Sequence, residues 1–136
     1  MSIKLDLTDL ERRKLRSAKI KIADLHLLRP DELAKAIQCT AERARFLTGL
    51  ATFQQIPSIG YRMAYNLVYY LYIYTLHEIK DHDPQELFDC LEQRADEKID
   101  PCVEDQIRCV VYYANHPDST KQWYDFTEQR KADRLA

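Results

Sequence analysis

FQQIPSIGYRMAYNL, Phe53 to Leu67, is the stretch whose reading decides the fold. It reads as the end of one helix, a short turn and the start of another. Pro57 fixes φ where the turn begins, and Gly60 is expected to take backbone angles closed to residues with a side chain. Gly49 and Gly60 are the only glycines in 136 residues, so one spent in a turn is read as serving geometry. Beyond the turn, Ala64, Leu67, Val68 and Leu71 recur at helical spacing as an apolar stripe.

A turn of this kind leaves N–H groups unpaired at the start of the second helix, at the positive end of its dipole. Such a place suits a phosphate and senses backbone rather than base sequence. The donors expected here are the amides of Ser58, Ile59, Gly60 and Tyr61, with Arg62 as the adjacent cation and Arg43 or Arg45 in support. The run Ile56-Pro57-Ser58-Ile59-Gly60-x-Arg62-x-Ala64 resembles the helix-hairpin-helix pattern, apolar-Pro-Gly-apolar-Gly-x-Lys-x-Ala. A bare structural corner in a small α-domain is the other reading of the same residues.

The remaining composition bounds the class. With 46% hydrophobic residues the chain can bury a real core, and one compact domain is the default for its length. No Val/Ile/Thr-rich alternating run lies between turn signals, which predicts an all-α fold. The apolar run Leu67–Leu76 carries four tyrosines and a threonine and is too short and too polar for a membrane span. The start, MSIKLDLTDLERRKL, has no apolar core of a secretory signal, and four irregularly spaced cysteines fit a reducing cytoplasm. Net charge is −2, but residues 1–62 carry twelve Lys and Arg against seven Asp and Glu, while residues 63–136 carry eight against fifteen. That asymmetry fits a basic face near the turn, or solvated surface alone.

Along the chain, residues 1–17 read as an arm and a basic helix, 18–94 as the core, and 95–136 as a C-terminal helix with an aromatic tail. Thr8 or Asp9 is expected to cap a helix from Leu10 to about Ile20, burying Leu10, Leu15 and Ala18. Pro30 and Thr40 start the next two helices, the latter running to about Thr52. The tyrosine-rich helix is expected to reach about Tyr72. Asp83-Pro84 and Asp100-Pro101 begin two more, the first ending near Gln93. Ile22–Ile37 aligns without gaps on Leu76–Leu91, at a constant offset that sets Pro30 on Pro84 and Leu33 on Leu87. Two such units can bury each other's apolar faces about a pseudo-twofold.

The last third carries a more specific resemblance. The turn, then Asp83-Pro84-x-Glu86-Leu87, then Asp100-Pro101-Cys102-Val103, then Arg108-x-x-Val111-Tyr112-Tyr113-Ala114 and Trp123-x-x-Phe126 occur in that order. The combination resembles the small bacterial "pathogenicity locus" helix-hairpin-helix family, often labelled as mitomycin resistance proteins, over roughly residues 18–126. The resemblance implies a tandem helix-hairpin-helix (SAM-like) core with a C-terminal helical extension, DNA binding, and no established activity. Two positions where the family usually has Gly hold Ser58 and Tyr72 here.

Chemistry is sparse. Cys39, Cys90, Cys102 and Cys109 form no C-x-x-C pair and the four histidines are scattered, so buried thiols are expected rather than a zinc site. A DNA glycosylase reading would use Asp81 or Asp83, but Asp83 reads better as a helix cap, and Arg62 stands where a Schiff-base lysine would be needed. No catalytic residue, cofactor or metal is assigned. Tyr61, Tyr65, Tyr69 and Tyr72 form a helical stripe beside the apolar face. They fit core packing with wet hydroxyls, or an interface with a protein partner or second copy. The expectation is a non-enzymatic domain that binds double-stranded DNA weakly and without sequence preference. The rival is a protein-interaction module that kept the fold and lost phosphate binding.

Overall fold

Most helix starts in this chain are set by side-chain oxygens or by proline. Thr8 accepts from the Glu11 N–H at 3.1 Å while the Glu11 carboxylate accepts from the Thr8 N–H at 2.9 Å, closing a capping box on α1, Asp9–Ser17. Pro30 occupies the first turn of α2, Pro30–Ile37. Thr40 caps α3, Ala41–Phe53, through the Arg43 N–H at 3.0 Å. The fourth helix, α4, Tyr61–Tyr65, runs directly into a π-helical turn, Asn66–Tyr70. Thr75 caps the short α5, Leu76–Ile79, and Asp83 caps α6, Pro84–Ala95. Asp100 accepts from the Cys102 N–H at 2.8 Å at the start of α7, Cys102–Asn115. The last helix is α8, Thr127–Leu135. Two 3-10 turns, Ile22–Leu27 and Trp123–Phe126, complete the set. This computed structural model describes residues 3–135, and among them the fold is all-helical with no strand.

Helix ends follow from backbone angles. Lys19 (φ 59°), Gln38 (φ 55°) and Asp96 (φ 53°) take left-handed conformations at or just beyond the ends of α1, α2 and α6. The expected first helix is therefore shorter at its far end, stopping at Ser17 rather than near Ile20. Of its three expected core residues only Leu15 is buried; Leu10 and Ala18 are exposed. The tyrosine-rich helix also departs from expectation. It widens to π geometry after Tyr65 and closes with a bond from the Ile73 N–H to the Leu67 carbonyl, around a left-handed Tyr72 (φ 55°).

The core is centred on α3, whose Ala44, Leu47, Thr48, Gly49, Leu50, Ala51 and Phe53 are all buried. A helix buried on most of its faces needs partners on several sides, and α2, the first 3-10 turn and α4 supply them. Each large side chain such as Phe53 or Leu47 contributes about 1.5–3 kcal/mol through burial. Gly49 permits the close approach: a Cβ there would lie 2.9 Å from Val68 Cγ2 and 3.4 Å from the Tyr74 backbone. The repeated sequence has matching local structure. In both copies a short helical turn (Ile22–Leu27, Leu76–Ile79) precedes a helix begun by proline (α2, α6). In both, the turn and that helix pack on the next helix, α3 or α7.

The C-terminal end is joined by charge. Glu104 and Asp105, in the first turn of α7, are 1% and 0% exposed. Arg130 holds Asp105 through Nε at 2.8 Å and Nη2 at 3.3 Å, and the Thr127 hydroxyl donates to it at 2.8 Å. Arg108 and Arg134 both pair with Glu104, at 2.9 and 2.6 Å. α8 itself buries no residue, so these ion pairs, with the 3-10 turn before it, fix its place. The aromatic tail expected from the sequence is thus a 3-10 turn followed by a docked helix.

Candidate functional site

The corner between α3 and α4 is built from inside out. Ile56 and Ile59 are buried and pin the turn to the core, while Gly60 is exposed. The Ile56 N–H bonds to the Phe53 carbonyl and the Ile59 N–H to the Ile56 carbonyl, so the turn is a tight pair of overlapping loops. Its left-handed residue is Ser58, at φ 64°. Gly60 sits instead at φ −104° and ψ −168°, extended angles open to any residue. The expectation that Gly60 supplies the special conformation is therefore corrected. The strain lies at the position where the resembling pattern carries Gly, and Ser58 adopts the same backbone at a cost of about 1–2 kcal/mol. Tyr72, the second departure from that pattern, is left-handed for the same structural reason at a helix end.

The Ser58 hydroxyl faces inward, accepting from the Trp123 N–H at 2.9 Å. Beneath it the Cys109 thiol lies 3.6 Å from the Lys121 carbonyl, and burial pushes its pKa up to about 11. The C-terminal segment is thus stitched under the turn, leaving the opposite side of the corner open. There α4 begins at Gly60 with no side-chain cap, and the amides of Gly60, Tyr61 and Arg62 bond to no other group among the described residues. A Cβ on Gly60 would meet nothing within 4 Å. Arg62 is exposed and has no ion partner among the described residues.

An open groove of about 760 Å³ runs from this helix start toward the α6–α7 link, with Arg62 and Lys98 beside Asp6, Glu97 and Asp100. The basic character expected of one face is therefore mixed here. The N-terminal arm crosses the same region, its Lys4 backbone paired both ways with the Gln54 side chain at 2.9 and 2.7 Å. The Tyr61 hydroxyl donates to Asp6, and burial together with that bond raises its pKa to about 12.

The supporting arginines are not brought to the corner. Arg43 lies in the first turn of α3, ten residues before its end and so roughly 15 Å along the helix from the turn. Its guanidinium is bonded to Glu11 at 2.8 and 2.9 Å and to the Asp6 carbonyl. The Arg43 bond in turn holds the Glu11 carboxyl below its usual range. Arg45 lies over the Tyr74 ring at 5.0 Å, on a different cavity.

The tyrosine stripe is a ladder of rings. Tyr61 and Tyr65 lie 5.9 Å apart, and Tyr65 and Tyr69 stack at 4.9 Å, while Phe46 and Tyr70 meet Tyr65 edge-on at 6.2 Å. Tyr61 and Tyr65 are half-buried, whereas Tyr69 and Tyr72 are 51% and 64% exposed. Arg94 lies over the Tyr72 ring at 5.4 Å. The stripe is thus packed at its start and open at its end. Cys109 is buried and Cys39, Cys90 and Cys102 are half-buried, and no group of three or more metal ligands occurs among the described residues. No helix among them is long and apolar enough to cross a membrane.

The model of the family described as "Pathogenicity locus" matches residues 47–132, from the middle of α3 through most of α8. The chain belongs to the pathogenicity-locus family. Comparisons with curated proteins and with solved structures gave no match. In this pathogenicity-locus protein the matched region holds the whole α3–α4 corner, the tyrosine ladder and the Asp105–Arg130 pair. The matched region leaves out α1, α2 and the N-terminal arm. Sequence reasoning missed Asp6, Gln54 and Trp123, which stitch both ends of the chain to the corner. No local signal marks such contacts between residues fifty or more positions apart.

Proposed function

We propose that this chain is a non-enzymatic helix-hairpin-helix domain that binds the sugar–phosphate backbone of duplex DNA weakly and without sequence preference. The observation that carries this is the uncapped, unobstructed start of α4 at Gly60, beside Arg62, which has no ion partner among the described residues. Helix N–H groups in that state attract an oxyanion, and Gly60 leaves room for one to come close. The tandem core supports the reading through the matching local structure of the two repeats. Ser58 supports it too, because its left-handed angle keeps the turn's shape without glycine. Asp6, Glu97 and Asp100 border the same groove and keep the affinity low. The phosphate contacts reduce to the amides of Gly60 and Tyr61 and to Arg62, since the Ile59 N–H is bonded to the Ile56 carbonyl, Arg43 is spent on Glu11 and Arg45 lies over Tyr74.

The test is anisotropy of a labelled duplex across a range of salt for the wild type, Arg62→Glu and Gly60→Asp. Two or three phosphate contacts give a log–log salt slope of about −2 to −3. Arg62→Glu removes the cation. Gly60→Asp places a carboxylate on the same amides, which strengthens the helix as a cap but fills the phosphate's position. Loss of binding in a Gly60→Asp protein of equal or greater thermal stability supports the proposal. Binding that persists in both variants, or none at low salt, sinks it.

The second reading, a protein-interaction module, is favoured by the exposed Tyr69 and Tyr72 at the open end of the ladder. It expects no response to duplex DNA. It also expects self-association or partner capture that Tyr69→Ala weakens, read by sedimentation velocity.

A further inference from the structure

A second cavity, of about 720 Å³, opens between the first 3-10 turn, the middle of α3 and the segment from Tyr72 to Glu78. Its size is within the range that holds small ligands. Three independent features converge on it. His26 lines this cavity, and its Nδ1, turned away from solvent, is the one buried side-chain nitrogen or oxygen without a hydrogen-bond partner among the described residues. Such an atom destabilises the fold unless something bonds to it. The Arg45 guanidinium lies over the Tyr74 ring at 5.0 Å and has no carboxylate partner among the described residues. Tyr72 stands on the rim, 64% exposed, in a left-handed backbone that a tyrosine adopts only at a penalty.

The charges in the cavity are unevenly committed. The Glu78 carboxylate is occupied by the Tyr74 N–H at 3.2 Å and the Thr75 hydroxyl at 3.1 Å. Arg29 is paired with Asp31 at 3.1 Å. Among the described residues Arg45 is left as the cation of this cavity without a carboxylate, next to flat aromatic surface and a buried imidazole nitrogen. A guanidinium recognises an oxyanion through parallel N–H donors, and a tyrosine ring offers its face to a planar ring.

We propose that this cavity binds a small molecule that joins a planar heterocycle to an oxyanion, the chemistry of a nucleoside monophosphate. The ring stacks beside Tyr72 and Tyr74, the oxyanion takes Arg45, and the His26 ring turns so that its Nδ1 meets a polar edge of the ligand. This site shares no residue with the Gly60–Arg62 phosphate site and stands or falls separately from it.

The experiment is calorimetric titration of the full chain with adenosine 5′-monophosphate, adenosine and inorganic phosphate, with amide and ring spectra to locate the response. The expected result is saturable binding of the monophosphate, tighter than either fragment, with shifts centred on His26, Tyr72 and Tyr74. Arg45→Gln, an exposed position whose replacement leaves the core intact, weakens the monophosphate by roughly tenfold, the scale of one charge-assisted pair. Adenosine binding is unchanged in that variant. His26→Asn weakens both, and Arg62→Glu weakens neither. Absence of saturable binding, phosphate binding as tightly as the nucleotide, or an Arg45→Gln protein with unaltered affinity would each overturn the proposal. A loss caused by Arg62→Glu would place the ligand at the corner instead and refute this site.

Discussion

Replacing Arg130 with methionine removes the only guanidinium, among the described residues, bonded to the Asp105 carboxylate, which is 0% exposed. The Arg130 side chain is 14% exposed, so both partners lie largely away from solvent screening. Breaking such a pair from one side leaves an uncompensated buried charge and costs about 3–5 kcal/mol. Relief is available, because α8 buries no residue and can release, letting water reach Asp105. The Arg134 pairs, to the buried Glu104 and the exposed Asp89, hold α8 against that release. The expected loss for Arg130→Met is therefore near the lower bound, about 3 kcal/mol, measured from urea unfolding midpoints at constant m. Arg130→Met combined with Asp105→Leu removes both charges together and should recover most of that loss, since a matched apolar pair is often no worse than the ion pair. The coupling energy from the double-mutant cycle then reports the buried pair itself. A single-mutant loss below about 1 kcal/mol, with the α8 amides still protected from exchange, would refute the reasoning.

Three further outcomes follow from particular residues. Tyr72→Gly relieves a left-handed backbone and should raise stability by about 1 kcal/mol, read as a higher Tm, whereas Tyr69→Gly, inside the π turn, should lower it by a similar amount. Gly49→Ala drives a methyl to 2.9 Å from Val68 Cγ2 and should cost about 1–3 kcal/mol in chemical denaturation, while Gly60→Ala, with nothing within 4 Å, should change stability by no more than the loss of a mediocre cap, about 1 kcal/mol. The Tyr61 phenol is held neutral to about pH 12 by burial and by Asp6. In the unfolded chain it ionises near pH 10, so its contribution is full below that value and is lost as pH rises toward 12. Ultraviolet titration should show Tyr61 ionising late, with Tyr65 also raised by burial, and Asp6→Asn should move the Tyr61 transition part of the way back toward pH 10.

Much of the fold was written locally. Thr8, Thr40, Thr75, Asp83 and Asp100 announce helix starts because a short side-chain oxygen must meet the orphan N–H groups within three residues, a constraint that acts before any packing. Pro30 and Pro84 do the same through a fixed φ, and the repeat between residues 22–37 and 76–91 carried its local structure with it. The corner was legible from Pro57 and the apolar positions around it, but the assignment of its strained residue was not. Pattern alone points to Gly60, while the backbone path, forced by burying Ile56 and Ile59 on either side, puts the left-handed angle on Ser58.

What the tertiary structure decided is everything that depends on partners distant in the chain. Arg43 and Arg45 look equivalent in sequence, yet one is bonded to Glu11 and the other turns into the His26 cavity, because two positions along a helix are separated by about 200°. The tyrosine stripe was visible as periodicity, but only its neighbours divide it into a packed half and an exposed half. Nothing in the sequence singles out Glu104 and Asp105, and α8 lies within what reads as an aromatic tail. Their burial arises from long-range ion pairing, whose strength grows as water is excluded and which leaves no local mark in the sequence.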